Sequence, residues 1–190
     1  MANVKLSKAD LELMMNAEVI LTKNRIIEAV YALFGQLAAN YQQQAATWHL
    51  PEEVEKISPK ISRGEHYEAL PWVMLDYPRY FSGDDFFSVR TFFWWGNFFS
   101  ITILLKGKYL LPITDELLQK LNDQWYIGVG QDEWQHHFRE DNYLPLQAVP
   151  ANKLQELAFL KLAKKIPLSE WDSMYDLLQH SFSELARLWQ

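Results

Sequence analysis

The segment QDEWQHHFREDNY, residues 131–143, concentrates more acid–base chemistry than any other stretch of the chain. Imidazole is the side chain best matched to proton transfer near neutral pH. His136 or His137 is therefore a candidate general base, with Asp132 or Glu140 to orient it and Arg139 to hold an anion. Adjacent histidines point to opposite faces of a strand and sit about 100° apart on a helix, so this pair does not make a ready-built metal site. A metal would need one of them together with His49, His66 or His180 from distant parts of the sequence, so neither a metal nor a cofactor is expected. Solvated or locally paired side chains are the plainer reading of the same segment.

Arg90 is the second residue with chemistry to account for. It falls in FFSVRTFFWWGNFFSITILL, residues 86–105, in register with Phe92 and Trp94. A guanidinium among rings must find a carboxylate or be left ready to bind one, because an unpaired buried charge is very costly. Asp76, Asp84 and Asp85 are the nearest acids in sequence. Either Arg90 closes a structural ion pair, or it stands at the end of an aromatic pocket with Asp76, Arg79 and Trp94 as ligand-binding neighbours. Asp84-Asp85 itself follows Ser82-Gly83 and reads as turn chemistry.

No nucleophile elbow, phosphate loop, dinucleotide fingerprint, EF-hand loop or zincin helix can be read in the 190 residues. Cysteine is absent, which removes disulfides, thiolate metal sites and a cysteine nucleophile. With 24 acidic against 18 basic residues the net charge is −6, and no clustered basic surface argues for nucleic acid. Lys161, Lys164 and Lys165 form the nearest thing to a basic run and read as a solvated face. The first twenty residues intersperse charges with apolar positions, unlike a secretion signal, and no run is apolar enough to span a bilayer. A cytoplasmic protein binding no membrane is the expectation.

These residues must be positioned by elements that the apolar periodicity outlines. Ser7 and Asp10 form a capping-box-like start for a short helix at 8–15, and apolar residues from Ile26 to Tyr41 recur at helical spacing within a helix over 19–44. Gly35 inside that helix suggests a close crossing by another element. Residues 45–69 read as a long connection with one helical turn at 51–56, pinned by Trp48 and Tyr67. PWVML at 71–75 reads as a strand that Pro78 ends, WYIGV at 125–129 as another, and 156–163 as a strand closed by Ile166-Pro167. Thr114 caps a short helix at 115–122, and Ser169 caps a final helix at 170–189 with Trp171, Met174, Leu178, Phe182 and Leu185 on one face. The order implies a single α+β domain over 1–190. Its antiparallel sheet centres on an aromatic hairpin, flanked by long N- and C-terminal helices packed mainly on one face.

Aromatic residues make up 15% of the chain, and the hairpin is where they crowd. A two-residue Gly96-Asn97 turn pairs Trp95 with Phe98, Thr91 with Thr102 and Arg90 with Ile103. One face then carries Arg90, Phe92 and Trp94 opposite Ile103, Ile101 and Phe99, the natural seat for the helices. The other presents Phe93, Trp95 and Phe98 near the tip. Covering three such rings is worth on the order of 15 kcal/mol, or half that against a compact unfolded chain, beside a total stability of about 5–15 kcal/mol. Something must cover them: the chain's own 45–69 or 132–150 segment, a second copy, or a ligand.

DYPRYF at 76–81 followed by RTFFWWGNFF at 90–99 resembles the core of an uncharacterised family of bacterial hypothetical proteins, as do ILTKNRIIEAVYALFG at 20–35 and WQHHF at 134–138. The resemblance spans most of the chain and implies no activity, cofactor or site residue. On residues alone, the expected function is a non-enzymatic interaction module that forms a homo-oligomer through Phe93, Trp95 and Phe98. The alternative is a small-molecule enzyme or binder using Arg90 and the His136–Tyr143 segment.

Overall fold

A computed structural model describes residues 4–111, 120–121, 123–150, 154 and 157–189. The chain is an α+β domain built on a seven-stranded sheet in the order β1-β2-β3-β4-β7-β5-β6, with every neighbouring pair antiparallel. The strands are β1 (Lys60–Tyr67), β2 (Leu70–Ser82), β3 (Asp85–Trp94), β4 (Phe98–Lys106), β5 (Trp125–Gly128), β6 (Tyr143–Pro145) and β7 (Phe159–Pro167). Helices α1 (Lys8–Met14), α2 (Ala17–Ala45), α3 (Glu52–Glu55) and α4 (Met174–Ala186) complete the described elements. The helix expected at 115–122 falls almost wholly outside the described residues.

α1 starts where Ser7 and Asp10 exchange the reciprocal bonds of a capping box, and Asn16 caps α2 by accepting from the Glu18 amide. From Ile27 onward α2 buries Ile27, Val30, Phe34, Leu37 and Tyr41, the seven-residue spacing of one helical face. That face and the Leu178–Phe182–Leu185 face of α4 cover one side of the sheet, with the Tyr41 and Phe182 rings stacked 3.8 Å apart. α4 begins later than its sequence pattern suggests. Residues Leu168–Ser173 form a 3-10 segment with a non-helical Glu170, so Ser169 does not cap it and Trp171 turns outward, 41% exposed.

The sheet differs from the sequence reading at three points. The 45–69 connection holds an additional strand, β1, whose mostly exposed side chains hid it from a search for apolar runs. Pro78 does not end β2. Pairing runs from Asp76↔Arg90 to Arg79↔Ser88, two residues of β2 facing one of β3, so Pro78 sits in a bulge where no amide is needed. The third difference is the hairpin register.

Trp94 pairs with Phe98 across a three-residue Trp95-Gly96-Asn97 loop, Gly96 having φ +70°. Arg90 therefore opposes Thr102, and Thr91 opposes Ile101. One residue of slip turns the whole of β4 over relative to β3. Val89, Thr91 and Phe93 join Phe99, Ile101 and Ile103 beneath the helices, whereas Arg90, Phe92 and Trp94 share the opposite face with Phe98, Ser100 and Thr102. The expected surface of Phe93, Trp95 and Phe98 is thus split: Phe93 and Trp95 pack with the helix-side core and Phe98 with the other cluster, and only Trp95 is less than fully buried.

Gly35 is not at a helix crossing. It is exposed, and a Cβ built there meets nothing within 4 Å. Gly35→Ala is therefore expected to stabilise the chain by about 0.5–1 kcal/mol, read as a raised urea midpoint with an unchanged denaturant slope.

Candidate functional site

The face away from the helices is covered by the chain itself. Residues 129–142 cross it as a strap without regular secondary structure, and Tyr67 at the end of β1 meets it from the other side. The Tyr67 hydroxyl accepts from the backbone amides of His136 (2.8 Å) and His137 (3.0 Å), and its ring stands edge-on to Phe92 and Trp94. The sequence places residues 45–69 or 132–150 over Phe93, Trp95 and Phe98; in the structure parts of both segments cover the opposite face, the cluster of Met74, Phe92, Trp94 and Phe98, and of the three expected rings only Phe98 lies there.

Beneath the strap lies a polar seam. Register places Asp76 directly opposite Arg90, and the guanidinium forks onto the carboxylate, Nε to Oδ1 at 2.7 Å and Nη2 to Oδ2 at 3.2 Å. The third arm, Nη1, lies 3.3 Å from His136 Nε2, and the Trp134 ring caps the guanidinium at 5.5 Å. His136 is buried against Phe92, with ring centroids 4.7 Å apart. Burial holds its imidazole well below the usual histidine range, and the charges of Arg90 and Lys161 push the same way. The ring is neutral, and because Arg90 can only donate, Nε2 accepts and the proton resides on Nδ1.

Lys161 anchors the strap from below. Its side chain is 1% exposed on β7, and Nζ donates to Asn142 Oδ1 (2.9 Å), Gln135 O (3.2 Å) and Asp132 O (3.3 Å), three acceptors for three protons. Asn142 in turn donates to the carbonyl of His137 at 2.6 Å. Gly128 on β5 makes room for this lysine, since a Cβ there would lie 2.6 Å from Lys161 Cε. Burial pushes the ammonium down to about 8, while Asp132 and Glu133 pull it up.

The basic run is accordingly solvated only at Lys165, which is exposed. Alternation along β7 sends Lys161 under the strap and Lys164 to the helix side, where it pairs with buried Glu184 at 3.1 Å beside Trp125. Nothing in residue type distinguished these lysines from exposed ones, because their partners lie 19 or more residues away.

The candidate residues meet different fates. Asp76, Arg90 and His136 converge, the pairing of Arg90 with Asp76 being the structural reading of that arginine. Trp94 is buried, its indole donating to the Tyr67 carbonyl at 3.2 Å. Arg79 donates to Ser58 O. His137 is buried with Nδ1 3.9 Å from Asp141 and no hydrogen bond, while Glu140 stands in solvent and Arg139 forks onto Glu68. Among the described residues no group of three His, Asp or Glu side chains is placed to hold a metal.

Arg90 is 13% exposed and His136 is buried, so the seam offers little surface to a ligand. Three open grooves of about 320, 380 and 510 Å³ lie elsewhere, and neither Arg90 nor His136 lines any of them. What the arrangement does is hold: donors and acceptors of Tyr67, Arg90, Asn142 and Lys161 fasten an irregular segment over buried rings, with His137 Nδ1 and the Tyr143 hydroxyl the buried polar atoms left without a hydrogen-bond partner there among the described residues. Comparisons with protein-family models, with curated proteins and with solved structures return no match.

Arg90→Met leaves the Asp76 carboxylate buried and uncompensated and is expected to destabilise by about 3–5 kcal/mol, most of it recovered when Asp76→Leu is added. The seam also sets two pH slopes. His136 binds its proton less readily folded than unfolded, so its contribution is lost as pH falls through the unfolded value of about 6.5. For Lys161, with a folded value of about 8, stability climbs with pH from there to the unfolded value of about 10.4. Urea titrations across pH should show both slopes in the wild type, the first reduced in His136→Gln, with burial of His137 keeping the remainder, and the second absent from Lys161→Met.

Proposed function

We propose that this chain is a protein-interaction module that self-associates, and that its surface for doing so is the N-terminal helical arm rather than the aromatic sheet face. One observation carries the reading. Among the described residues fourteen large apolar side chains are exposed, and ten of them fall between Val4 and Ile26. α1 has no buried residue, and α2 has none before Ile27. Leu13, Met14, Met15, Ile20 and Leu21 are each more than half exposed.

Scattered exposed apolar residues need no explanation, but a concentration of this kind marks an interaction site. The other routes to self-association are blunted. The edge strand β1 carries Lys60, Arg63 and Glu65 and a register break, and the opposite edge, β6, is three residues ending in proline. Two charged fasteners fix the base of the arm to the body, Lys23 on Glu65 and Arg63 over the Tyr31 ring. The arm is thus presented from a fixed root.

Light scattering on the intact chain at tens of micromolar is expected to give twice the 22.4 kDa chain mass. Val19→Glu combined with Ile26→Glu should return the single-chain mass with an unchanged circular dichroism spectrum and a cooperative urea transition, its midpoint lowered only by the lost stabilisation of the dimer. A wild-type chain that stays monomeric through high micromolar concentration overturns the reading.

A further inference from the structure

We infer that the occupant of the arm is a second copy of this chain, bound so that the two α2 helices cross antiparallel about Thr22 and each copy's Met15 enters an apolar groove on the other. The inference rests on the self-association reading above and adds to it a geometry. Val19, Thr22, Ile26, Ala29 and Leu33 recur at alternating steps of three and four residues, the spacing of a helix–helix seam. This stripe is distinct from the buried one of Ile27, Val30, Phe34 and Leu37, and it is covered only toward its C-terminal end, where Leu33 packs on the core.

Two grooves flank the stripe. One, of about 380 Å³, is lined by Ile26, Phe93, Trp95, Phe99, Leu168 and Trp171. The other, of about 320 Å³, is lined by Arg25, Ile26, Ala29 and Trp171. They share Ile26 and Trp171, so together they run alongside α2 from the hairpin tip. Their walls are almost wholly apolar, with Arg25 the one charged residue, and it is turned toward Glu18 at 3.7 Å and Thr22 at 3.1 Å.

An antiparallel crossing at Thr22 sets residue 15 of one copy level with residue 29 of the other, at about 1.5 Å of rise per residue. Met15, 74% exposed at the α1–α2 junction, then lies beside the Ala29–Ile26–Trp171 wall. A thioether is suited to such a channel, being flexible and favourably placed against indole rings. The area agrees. Ile20 and Leu21 point away from the stripe; the other eight exposed apolar side chains at about 70–100 Å² each offer at most about 560–800 Å² per copy before the groove walls are added, beside the roughly 800 Å² per partner of a standard interface. The arrangement is self-complementary and closed, so it ends at a dimer.

The absence of cysteine makes the test clean. Thr22→Cys places a lone thiol on the two-fold axis, where helices packed 8–10 Å apart bring facing Cα atoms within disulfide reach. Asn24→Cys places one about 200° around the same helix, facing away. Mild oxidation is expected to link most chains carrying Cys at 22 and few carrying it at 24, and Met15→Glu to weaken the dimer at least tenfold in sedimentation. A dimeric mass without linkage at 22, or with equal linkage at 24, overturns this pairing while leaving self-association intact. A monomeric mass for wild type overturns both.

Discussion

A sheet that is apolar on both faces has to be covered twice, and most of this structure follows from that constraint. β3 and β4 carry Val89, Phe93, Phe99, Ile101 and Ile103 to one side and Phe92, Trp94 and Phe98 to the other. α2 and α4 suffice for the first side because their periodicity supplies long apolar stripes. The second side is covered by irregular backbone, which brings amides and carbonyls with no ladder to satisfy them. The polar residues under the strap answer that need: the Tyr67 hydroxyl takes two amides, and Lys161 and Asn142, bonded to each other, donate to the carbonyls of Asp132, Gln135 and His137.

This explains why the residues with the richest chemistry are fasteners. Arg90, Asp76 and His136 meet with geometry good enough for a catalytic cluster, yet each spends its bonding capacity on another part of the same chain. Burial keeps His136 neutral, so it can accept from Arg90, and Arg90 has its charge met by Asp76. A site for an external ligand would leave at least one of these groups turned toward an opening. Here the described grooves are lined by other residues and are apolar or of mixed charge.

The apolar surface left over is therefore not at the sheet. It lies at the N-terminal end, where α2 runs beyond what the sheet and α4 bury and α1 adds a further exposed turn. A molecule that seals its central rings under a hydrogen-bonded strap, yet leaves ten apolar side chains in water along one arm, has divided its surface into a finished body and an unfinished edge. The groove between Ile26, Trp95 and Trp171 continues that edge onto the body.

Local pattern determined much of this by itself. The α+β class, the capping box at Ser7, the long face of α2, the turn at Gly83 and the aromatic hairpin all follow from spacing and from residues whose preferences are set within a few positions. β1 was illegible because an edge strand needs no apolar alternation, and the buried lysines because their acceptors arrive from distant segments. The hairpin shows where the boundary falls. That residues 86–105 fold back at Gly96 is local, but whether the loop holds two residues or three was settled by which rings the helices and the strap could bury. A strand has period two, so that single step assigned every side chain of β4 to its face and placed Phe98 with Arg90 and Trp94 rather than with Phe93.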